Sequence, residues 1–375
     1  MGGGEPEASP TARRRRSPES TPARTIVRWR RALLGATVAA IVAGGAGAGL
    51  TDQASAAPAP PMPTAANGHA VTVLARGVAT PTSFAFDPAR RVAFIGAFGD
   101  ERTGKGGGAF TLARHGQSVR IAGVPAGVAG MAFHKGTLYV SVLGQKGGKI
   151  LALGHWNGQR FGTHRTIFDA RSTVGAASGL AWGPDGRLYA GSGLVNDIQR
   201  NGKVKRSPFP HPYTVFSIKP NGRDFRVEAR GLRQPFQLTF VKGSRAPYVS
   251  VLSQETRPIP PDAIVKADRG REFGFPSCFA GVGIGCKGAH FDKPLIRLPR
   301  HASPMGIQSR GHTLYVALFG GIAKSGPEVV TVAARQGAKP KPLVTGFPAP
   351  VVALGLSQGT LYAGDLTGTI YAVAL

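Results

Sequence analysis

Residues 179–190 read GLAWGPDGRLYA, and this stretch decides the fold because its pattern returns along the chain. A short apolar strand precedes a Pro-Asp-Gly turn and a second strand with an aromatic residue follows, which is the pattern of a β-hairpin. The aromatic marker recurs at Phe94, Tyr139, Tyr189, Tyr248, Tyr315 and Tyr362. The gaps of 45, 50, 59, 67 and 47 residues are close to the ~40–50 residues of a propeller blade with its loops.

One such blade cannot bury both of its faces alone, so the six units must stack around a common axis. The sequence therefore predicts an all-β fold, a six-bladed β-propeller over residues 70–375. Its last unit has three strands, whereas residues 70–75 (AVTVLA) form an unpaired strand before the first repeat. We expect this strand to complete the last blade beside residues 367–373 and to remove an exposed edge. An open sandwich with a coincidental repeat is the alternative.

The N-terminal part of the chain has a different composition. A basic stretch ends in Arg30 and Arg31, an Ala/Gly-rich stretch of 19 residues follows at 32–50, and residues 54–56 (ASA) are small. This order is typical of a twin-arginine export signal with a peptidase site. We predict an export signal at residues 1–56, a Pro/Ala linker without core residues at 57–69, and a secreted protein with no permanent membrane span. An uncleaved anchor is the alternative, because 19 residues just suffice to cross a bilayer.

The charge is strongly positive. The net charge is +27, and residues 1–56 contribute +4 from eight basic and four acidic residues, which leaves +23 for the rest. Such a surface favours anionic surroundings, for example a cell-wall polymer, although scattered basic residues are equally consistent with a solubilising surface. No nucleic-acid reading module is present, so nucleic acid is not an expected partner.

The chain contains two cysteines, Cys278 and Cys286. Outside the cytoplasm, two cysteines this close in sequence most simply form one local disulfide. Two thiols alone are a poor metal site, and no His or Cys lies at zinc-finger spacing.

Three motifs follow one another in the second half of the chain: residues 231–238 (GLRQPFQL), 271–278 (REFGFPSC) and 298–306 (LPRHASPMG). Their order resembles the soluble glucose/sorbosone dehydrogenase family, six-bladed propellers that use pyrroloquinoline quinone and calcium. In that family Gly-Leu-Arg-Asn-Pro is followed by Tyr-Gly-Trp-Pro and then by His-Ala-Pro-Gly. The resemblance covers about residues 178–330. It implies an oxidoreductase that acts on a small sugar or aldehyde, with pyrroloquinoline quinone and calcium as cofactors.

The resemblance also implies roles for individual residues. Arg233 and His301 would be catalytic, and Arg233, Gln234 and Lys324 would hold the quinone, whose three carboxylates suit basic partners. Gln234 stands where the family has an Asn. For His301 the alternative is a structural histidine that bonds a loop carbonyl, and for Arg233 it is a structural ion pair with Glu255.

The predicted metal ligands are Gln254 and Glu255. They belong to a loop, residues 253–256 (SQET), that falls where the family binds calcium. One carboxylate is few for a calcium site, which usually takes six to eight oxygen ligands.

Two departures from the family concern the chemistry. The family's general-base His lies just before the Pro-Asp-Gly hairpin, where residues 174–178 (VGAAS) contain no titratable group. Residues 319–324 (FGGIAK) replace a His-Gly-Ser-Trp-Asn-Arg segment of the sorbosone branch. Loss of a general base costs a factor of ~10²–10⁴ in rate, unless His164 or His211 replaces it from another loop.

Two other functions stay open. A non-catalytic secreted propeller that binds an anionic cell-wall polymer or a protein partner would account for the missing base and the positive charge. A metal-dependent lactonase would need several Glu, Asp and Asn ligands around the axis, and few carboxylates stand at the right strand starts.

Overall fold

The computed structural model describes Met1 and residues 61–100, 103–112, 117–144, 147–192, 207–254, 257–322 and 326–375. The predicted export signal, apart from Met1, lies outside the described residues. Within the described part of the chain, no helix is long and apolar enough to cross a membrane.

The described residues form strands and three short 3-10 helices, at Ala66–Gly68, Ala170–Ser172 and Ile284–Cys286. The first strands in chain order are β1 (Thr64–Ala65), β2 (Val71–Ala75), β3 (Pro81–Asp87), β4 (Val92–Ala97), β5 (Gly108–Leu112), β6 (Ser118–Arg120), β7 (Val128–His134), β8 (Thr137–Gly144), β9 (Gly147–Trp156), β10 (Phe161–Asp169), β11 (Ala177–Trp182), β12 (Leu188–Ser192) and β13 (Val215–Ile218). The remaining strands are β14 (Arg226–Arg230), β15 (Gln234–Thr239), β16 (Tyr248–Leu252), β17 (Ala263–Lys266), β18 (Arg271–Glu272), β19 (Ile296–Arg297), β20 (Pro304–Arg310), β21 (Thr313–Leu318), β22 (Glu328–Ala333), β23 (Lys341–Thr345), β24 (Val351–Ser357), β25 (Thr360–Asp365) and β26 (Ile370–Ala374).

These strands make six sheets, each a blade. From its inner to its outer strand, blade 1 is β3-β4-β5-β6, blade 2 is β7-β8-β9-β10, blade 3 is β11-β12-β13-β14, blade 4 is β15-β16-β17-β19, blade 5 is β20-β21-β22-β23 and blade 6 is β24-β25-β26-β2. Each inner strand contacts the inner strands of the blades before and after it, and β24 of blade 6 contacts β3 of blade 1. The sheets therefore close into a ring, and the predicted six-bladed β-propeller is confirmed.

The ring closes where the sequence predicted it. Strand β2 pairs antiparallel with β26, with Val71 opposite Val373 and Ala75 opposite Ile370. Residues 57–69 were predicted to be a linker without core residues, and the structure corrects this. Thr64 and Ala65 pair with β23 of blade 5, and Pro63 is buried. The segment just before β2 therefore anchors blade 5 as well, and both pairings cover sheet edges that would otherwise expose backbone N–H and C=O groups.

The recurring aromatic marker joins one blade to the next. In four of the six blades the marker, on the second strand, packs against an aromatic ring at the end of the next blade's inner strand. The centroid distances are 5.8 Å for Phe94 and Phe133, 4.9 Å for Tyr139 and Trp182, 5.0 Å for Tyr189 and Phe240, and 5.2 Å for Tyr362 and Phe86. Aromatic pairs add packing energy beyond the area that they bury. The recurring aromatic residue therefore stabilises the contact between neighbouring blades as well as the hairpin that carries it.

The ring has two faces. We call the end at which the inner strands begin the mouth face; it includes the blade 4 loop at residues 253–262 and the blade 4–5 connection at 298–303. We call the end with the hairpin turns, such as residues 183–187, the opposite face.

Candidate functional site

Three of the predicted site residues lie together on the mouth face. Arg233, Gln254 and His301 line one small, partly open cavity between the blade 4 loop and the blade 4–5 connection. The remaining lining residues are Leu252, Ser253, Ile259, Pro260, Asp262 and Ser303. The volume open to a small molecule is about 10 Å³, which is the space of a single water. A larger ligand would therefore lie above this cavity, toward the open side of the mouth.

Asp262 holds the two loops of the cavity together. Its side chain is 4% exposed; Oδ1 accepts from the backbone N–H of Ser253 at 2.7 Å and Oδ2 from that of Ser303 at 2.8 Å. Burial raises the pKa of the Asp262 carboxyl, while these two N–H groups and the charges of His301 and Arg233 oppose the rise. The sequence analysis missed Asp262, whose only signal was a lone carboxylate at the end of a Pro-rich loop.

Arg233 and Gln234 stand at the start of the blade 4 inner strand. Arg233 is half-buried, and its Nη1 donates to the carbonyl of Ser253 at 2.6 Å. Gln234 is 1% exposed, and its buried Oε1 has no hydrogen-bond partner among the described residues. A buried polar atom without a partner costs free energy, so this carboxamide suits a ligand that can bond it.

His301 lies at the exposed lip of the cavity. Its backbone φ is 63°, a left-handed conformation that His tolerates better than most residues. The following residue, Ala302, accepts a hydrogen bond from the N–H of Gly320 at 3.2 Å. A Cβ at Gly320 would lie 2.1 Å from the carbonyl oxygen of His301, so Gly320 is required for the blade 5 loop to pack on this turn.

Gln237 forms the floor of the mouth. The equivalent residues of the other five inner strands are small: Ser83, Gly130, Gly179, Gly306 and Ala353. Gln237 is instead long enough to reach across from blade 4, and its Nε2 donates to the carbonyls of Thr82 in blade 1 at 3.1 Å and of Ala129 in blade 2 at 3.2 Å. Its side chain therefore connects three blades across the centre of the ring and closes the bottom of the mouth.

Two histidines named as replacement bases lie away from this cluster. His164 is on the outer strand of blade 2, with Nε2 at 3.2 Å from the carbonyl of Phe161. The ring of His211 packs on Phe225, with 5.3 Å between ring centroids. Neither histidine lines the cavity described above. Residues 174–178, where the family has its base, are buried.

The predicted metal site is described only in part. Gln254 donates from Nε2 to the carbonyl of Pro258 at 2.7 Å, while Glu255 lies outside the described residues, as does Lys324. Among the residues that are described, no group of three or more His, Cys, Asp or Glu side chains could hold a metal ion.

The predicted disulfide between Cys278 and Cys286 is confirmed. It closes an insertion that follows β17 and pairs, through β18, with the outer strand of blade 3. Phe275 of this insertion packs edge-on against Tyr213, with ring centroids 4.9 Å apart, and its N–H bonds the carbonyl of Gly231 at 3.0 Å. The insertion therefore supports the segment that carries Arg233.

Comparisons with known proteins agree with the fold. No family model matches the chain, and no curated protein does. Solved structures that it resembles include the pyrroloquinoline-quinone-bound aldose sugar dehydrogenase of Streptomyces coelicolor, with a TM-score of 0.62, 18% identity, and 84% of this chain and 99% of that chain covered. The holo pyranose dehydrogenase quinone domain of Coprinopsis cinerea has a TM-score of 0.65, 15% identity, and coverage of 84% and 98%. The family AA12 carbohydrate-active enzyme of Trichoderma reesei has a TM-score of 0.65, 16% identity, and coverage of 84% and 98%.

The chain thus has the six-bladed propeller fold of soluble quinone-dependent sugar dehydrogenases. At identities of 15–18% this likeness establishes the fold and leaves the activity to be argued from the site.

Proposed function

We propose that the protein is an exported, quinone-dependent sugar or aldehyde dehydrogenase whose cofactor binds at the mouth beside Arg233 and Gln234. The observation that carries the proposal is a half-buried guanidinium next in sequence to a buried carboxamide oxygen that has no hydrogen-bond partner within the described part of the chain. A guanidinium holds carboxylates in a fixed fork. A carboxamide offers an oxygen or, when its ends are exchanged, an N–H₂ group. Both fit a quinone that carries carboxylates and ring heteroatoms.

Each residue of the cavity then has a task. Bound pyrroloquinoline quinone would supply the two-electron acceptor for oxidation of a sugar hydroxyl. His301, at the exposed lip, would take the proton of that hydroxyl. Asp262 would keep His301 in place by holding the blade 4–5 connection to the blade 4 loop, and the Ser253 carbonyl of that loop accepts from Arg233.

Calcium is part of this proposal through the resemblance. Gln254 and Glu255 would supply oxygen ligands, which this cation prefers. Lys324 would complete the cofactor site. The leader at residues 1–56 would export the chain.

The test is reconstitution with the quinone, with and without calcium, followed by quinone titration and dye reduction with aldoses. Arg233→Gln should weaken quinone binding by about tenfold or more, the usual scale for loss of a charge-assisted bond. His301→Asn, which suits the left-handed backbone, should leave quinone binding unchanged and lower kcat by ~10²–10⁴. Arg245→Gln, on the opposite face, is the matched control.

The same experiment addresses the non-catalytic alternative. The buried, uncharged residues 174–178 favour a propeller that kept the scaffold and lost the chemistry. Absence of quinone binding by the wild-type chain at any calcium concentration would refute the dehydrogenase proposal and favour that alternative.

A further inference from the structure

Another cavity lies on the opposite face of the ring, between blades 3 and 4, and we call it the interblade cleft. Its volume open to a small molecule is about 210 Å³, which is less than the ~300–1,000 Å³ of sites for drug-sized ligands. Two blades contribute its lining residues: Asp185, Tyr189, Arg226 and Glu228 from blade 3, and residues 245–247 and 267–269 from blade 4. None of these residues lines the cavity on the mouth face, so the two cavities are separate.

Backbone hydrogen bonds fix the walls of the interblade cleft. The N–H of Ala267 donates to the carbonyl of Pro247 at 2.9 Å, which joins the two blade 4 segments. The N–H of Gly270 donates to the carbonyl of Glu228 at 2.8 Å, and β18 then pairs with β14, the outer strand of blade 3. The two walls are therefore tied to each other, and a preorganised site binds a ligand at a lower entropic cost.

The blade 3 side chains in the cleft lie on one face of their sheet. Tyr189 is opposite Ser217 in the strand register, and Ser217 is opposite Arg226. Directly opposed residues of antiparallel strands point to the same side. This side is turned toward blade 4, because the ring of Tyr189 packs edge-on against Phe240, with 5.0 Å between ring centroids.

Glu228 is buried in the wall of the cleft and is 6% exposed. Its Oε1 accepts from the hydroxyl of Ser217 at 2.5 Å. Within the described part of the chain, no hydrogen bond or ion pair reaches Oε2. Burial, the charge of Glu228 and the hydrogen bond to Asp185 raise the pKa of Tyr189. A buried carboxylate oxygen without a donor is costly, and an ammonium group satisfies it with a charge-assisted hydrogen bond.

The rest of the cleft disfavours a ligand that is only cationic. Its charged lining is balanced, with three acidic residues and three arginines. Asp268 and Arg226 are each engaged in an ion pair within their own blade. Arg269 is exposed, and among the described residues its side chain forms no ion pair or hydrogen bond. It belongs to the turn that bonds the backbone of Glu228, so a guanidinium lines the same cleft as the carboxylate that lacks a donor.

We propose that the interblade cleft binds a free aliphatic α-amino acid, with its ammonium group on Glu228 and its carboxylate on Arg269. A guanidinium holds a carboxylate through two parallel N–H bonds. The side chain of the ligand then meets the apolar part of the lining, Ala246, Pro247 and Ala267. This inference goes beyond the proposed dehydrogenase function and does not depend on it, because the two cavities share no lining residue.

The test is calorimetric titration of the purified protein, without quinone, with three ligands that differ only at their ends. L-Leucine carries both charges, L-leucinamide carries only the ammonium group, and N-acetyl-L-leucine carries only the carboxylate. We expect leucine to bind about tenfold or more tightly than either blocked form, which is the scale of a lost charge-assisted hydrogen bond. Absence of leucine binding, or equal affinity for leucine and one of its blocked forms, would overturn the proposal.

Two variants assign the ends of the ligand. Glu228→Gln keeps an oxygen for the hydroxyl of Ser217 and should weaken the binding of leucine and leucinamide about tenfold or more, with no effect on N-acetyl-leucine. Arg269→Gln should weaken leucine and N-acetyl-leucine to a similar extent and leave leucinamide unchanged. Lys242→Gln removes an exposed cation of the same face outside the cleft and should bind leucine like the wild type.

Urea denaturation of each variant separates a lost contact from a damaged fold. A folded Glu228→Gln or Arg269→Gln protein that binds leucine as the wild type does would refute the assignment. A variant that weakens all three ligands equally would also refute it, because a general change in the shape of the cleft does not distinguish the two ends of the ligand.

Discussion

The two faces of the propeller use their carboxylates in different ways. On the opposite face, acids pair with basic side chains: Asp87 with Arg90 at 2.9 Å, Asp224 with Arg187 at 2.8 Å and with Arg226 at 2.7 Å, and Asp268 with Lys266 at 2.9 Å. On the mouth face, Asp262, Glu328 and Asp365 are buried against backbone N–H groups. Asp169 and Asp87 depart from this division. Asp169 on the mouth side pairs with Arg171, and Asp87 on the opposite face is 2% exposed and also accepts from the backbone N–H groups of Ala89 and Arg90.

The difference shows two uses of carboxylates in one chain: ion pairs near the surface on the opposite face, and buried hydrogen bonds to loop backbone at the mouth. Exposed ion pairs contribute ~0–1 kcal/mol each. Hydrogen bonds to charged groups contribute ~1.5–3 kcal/mol. The mouth carboxylates therefore order the loops of the candidate site more strongly than exposed ion pairs could.

Asp262→Asn should give the largest loss of stability. An Asn keeps one acceptor oxygen and turns an N–H₂ group toward the second backbone N–H, so either Ser253 or Ser303 loses its partner. We expect the free energy of unfolding to fall by about 2–3 kcal/mol, measured by urea denaturation. A loss below about 0.5 kcal/mol, the scale of an exposed substitution, would contradict the view that this carboxylate holds the two loops together.

Asp365→Asn should cost less, although Asp365 is equally buried. Its Oδ1 accepts from the backbone of Thr367 and Thr369, and Oδ2 accepts from the hydroxyl of Tyr371 at 3.1 Å. An Asn can keep its oxygen toward the N–H groups, and the Tyr371 hydroxyl can rotate to accept from its N–H₂ group. We expect a loss of about 1 kcal/mol. A loss equal to that of Asp262→Asn would show that the charge, rather than the donor geometry, determines the cost.

The contact between Asp365 and Tyr371 also predicts that the stability of the fold depends on pH in the alkaline range. Burial, the charge of Asp365 and the hydrogen bond to it raise the pKa of Tyr371 from 10.0 to about 12. Because the folded-state pKa is raised, the stability linked to this group is present below pH 10 and is lost as the pH rises through about 12. In Asp365→Asn the pKa of Tyr371 should fall. The measurement is the ultraviolet difference between wild type and variant during titration, and identical titrations would contradict the assignment.

Most of the fold could be predicted from the sequence because its signals are local and repeated. The Pro-Asp-Gly hairpin at 183–186 and the aromatic markers identify the blades, and the unpaired strand at 70–75 identifies the closure. The second anchor at Thr64–Ala65 was missed, since two residues of pairing in a Pro/Ala-rich segment leave no period to detect.

The site was predicted less completely because it joins segments that are distant in sequence. The resemblance located Arg233 and His301, which the structure brings to one cavity. Asp262 and Gln237 were missed for a physical reason: each acts through contacts with other loops or blades, and no spacing within its own segment shows this.

Asp268→Asn on the opposite face should change the free energy of unfolding least of all, and it therefore tests the comparison of the two faces directly. Asp268 is about one third exposed and pairs with Lys266 at 2.9 Å and with Arg271 at 3.6 Å. Because water screens these charges and two long side chains lose freedom when they pair, Asp268→Asn should lower the free energy of unfolding by no more than about 0.5 kcal/mol, and by still less at high salt. Urea denaturation at low and high salt measures both values. A loss as large as that of Asp262→Asn would mean that ion pairs on the opposite face stabilise the ring as strongly as the buried carboxylates of the mouth, and the distinction between the two faces would fail.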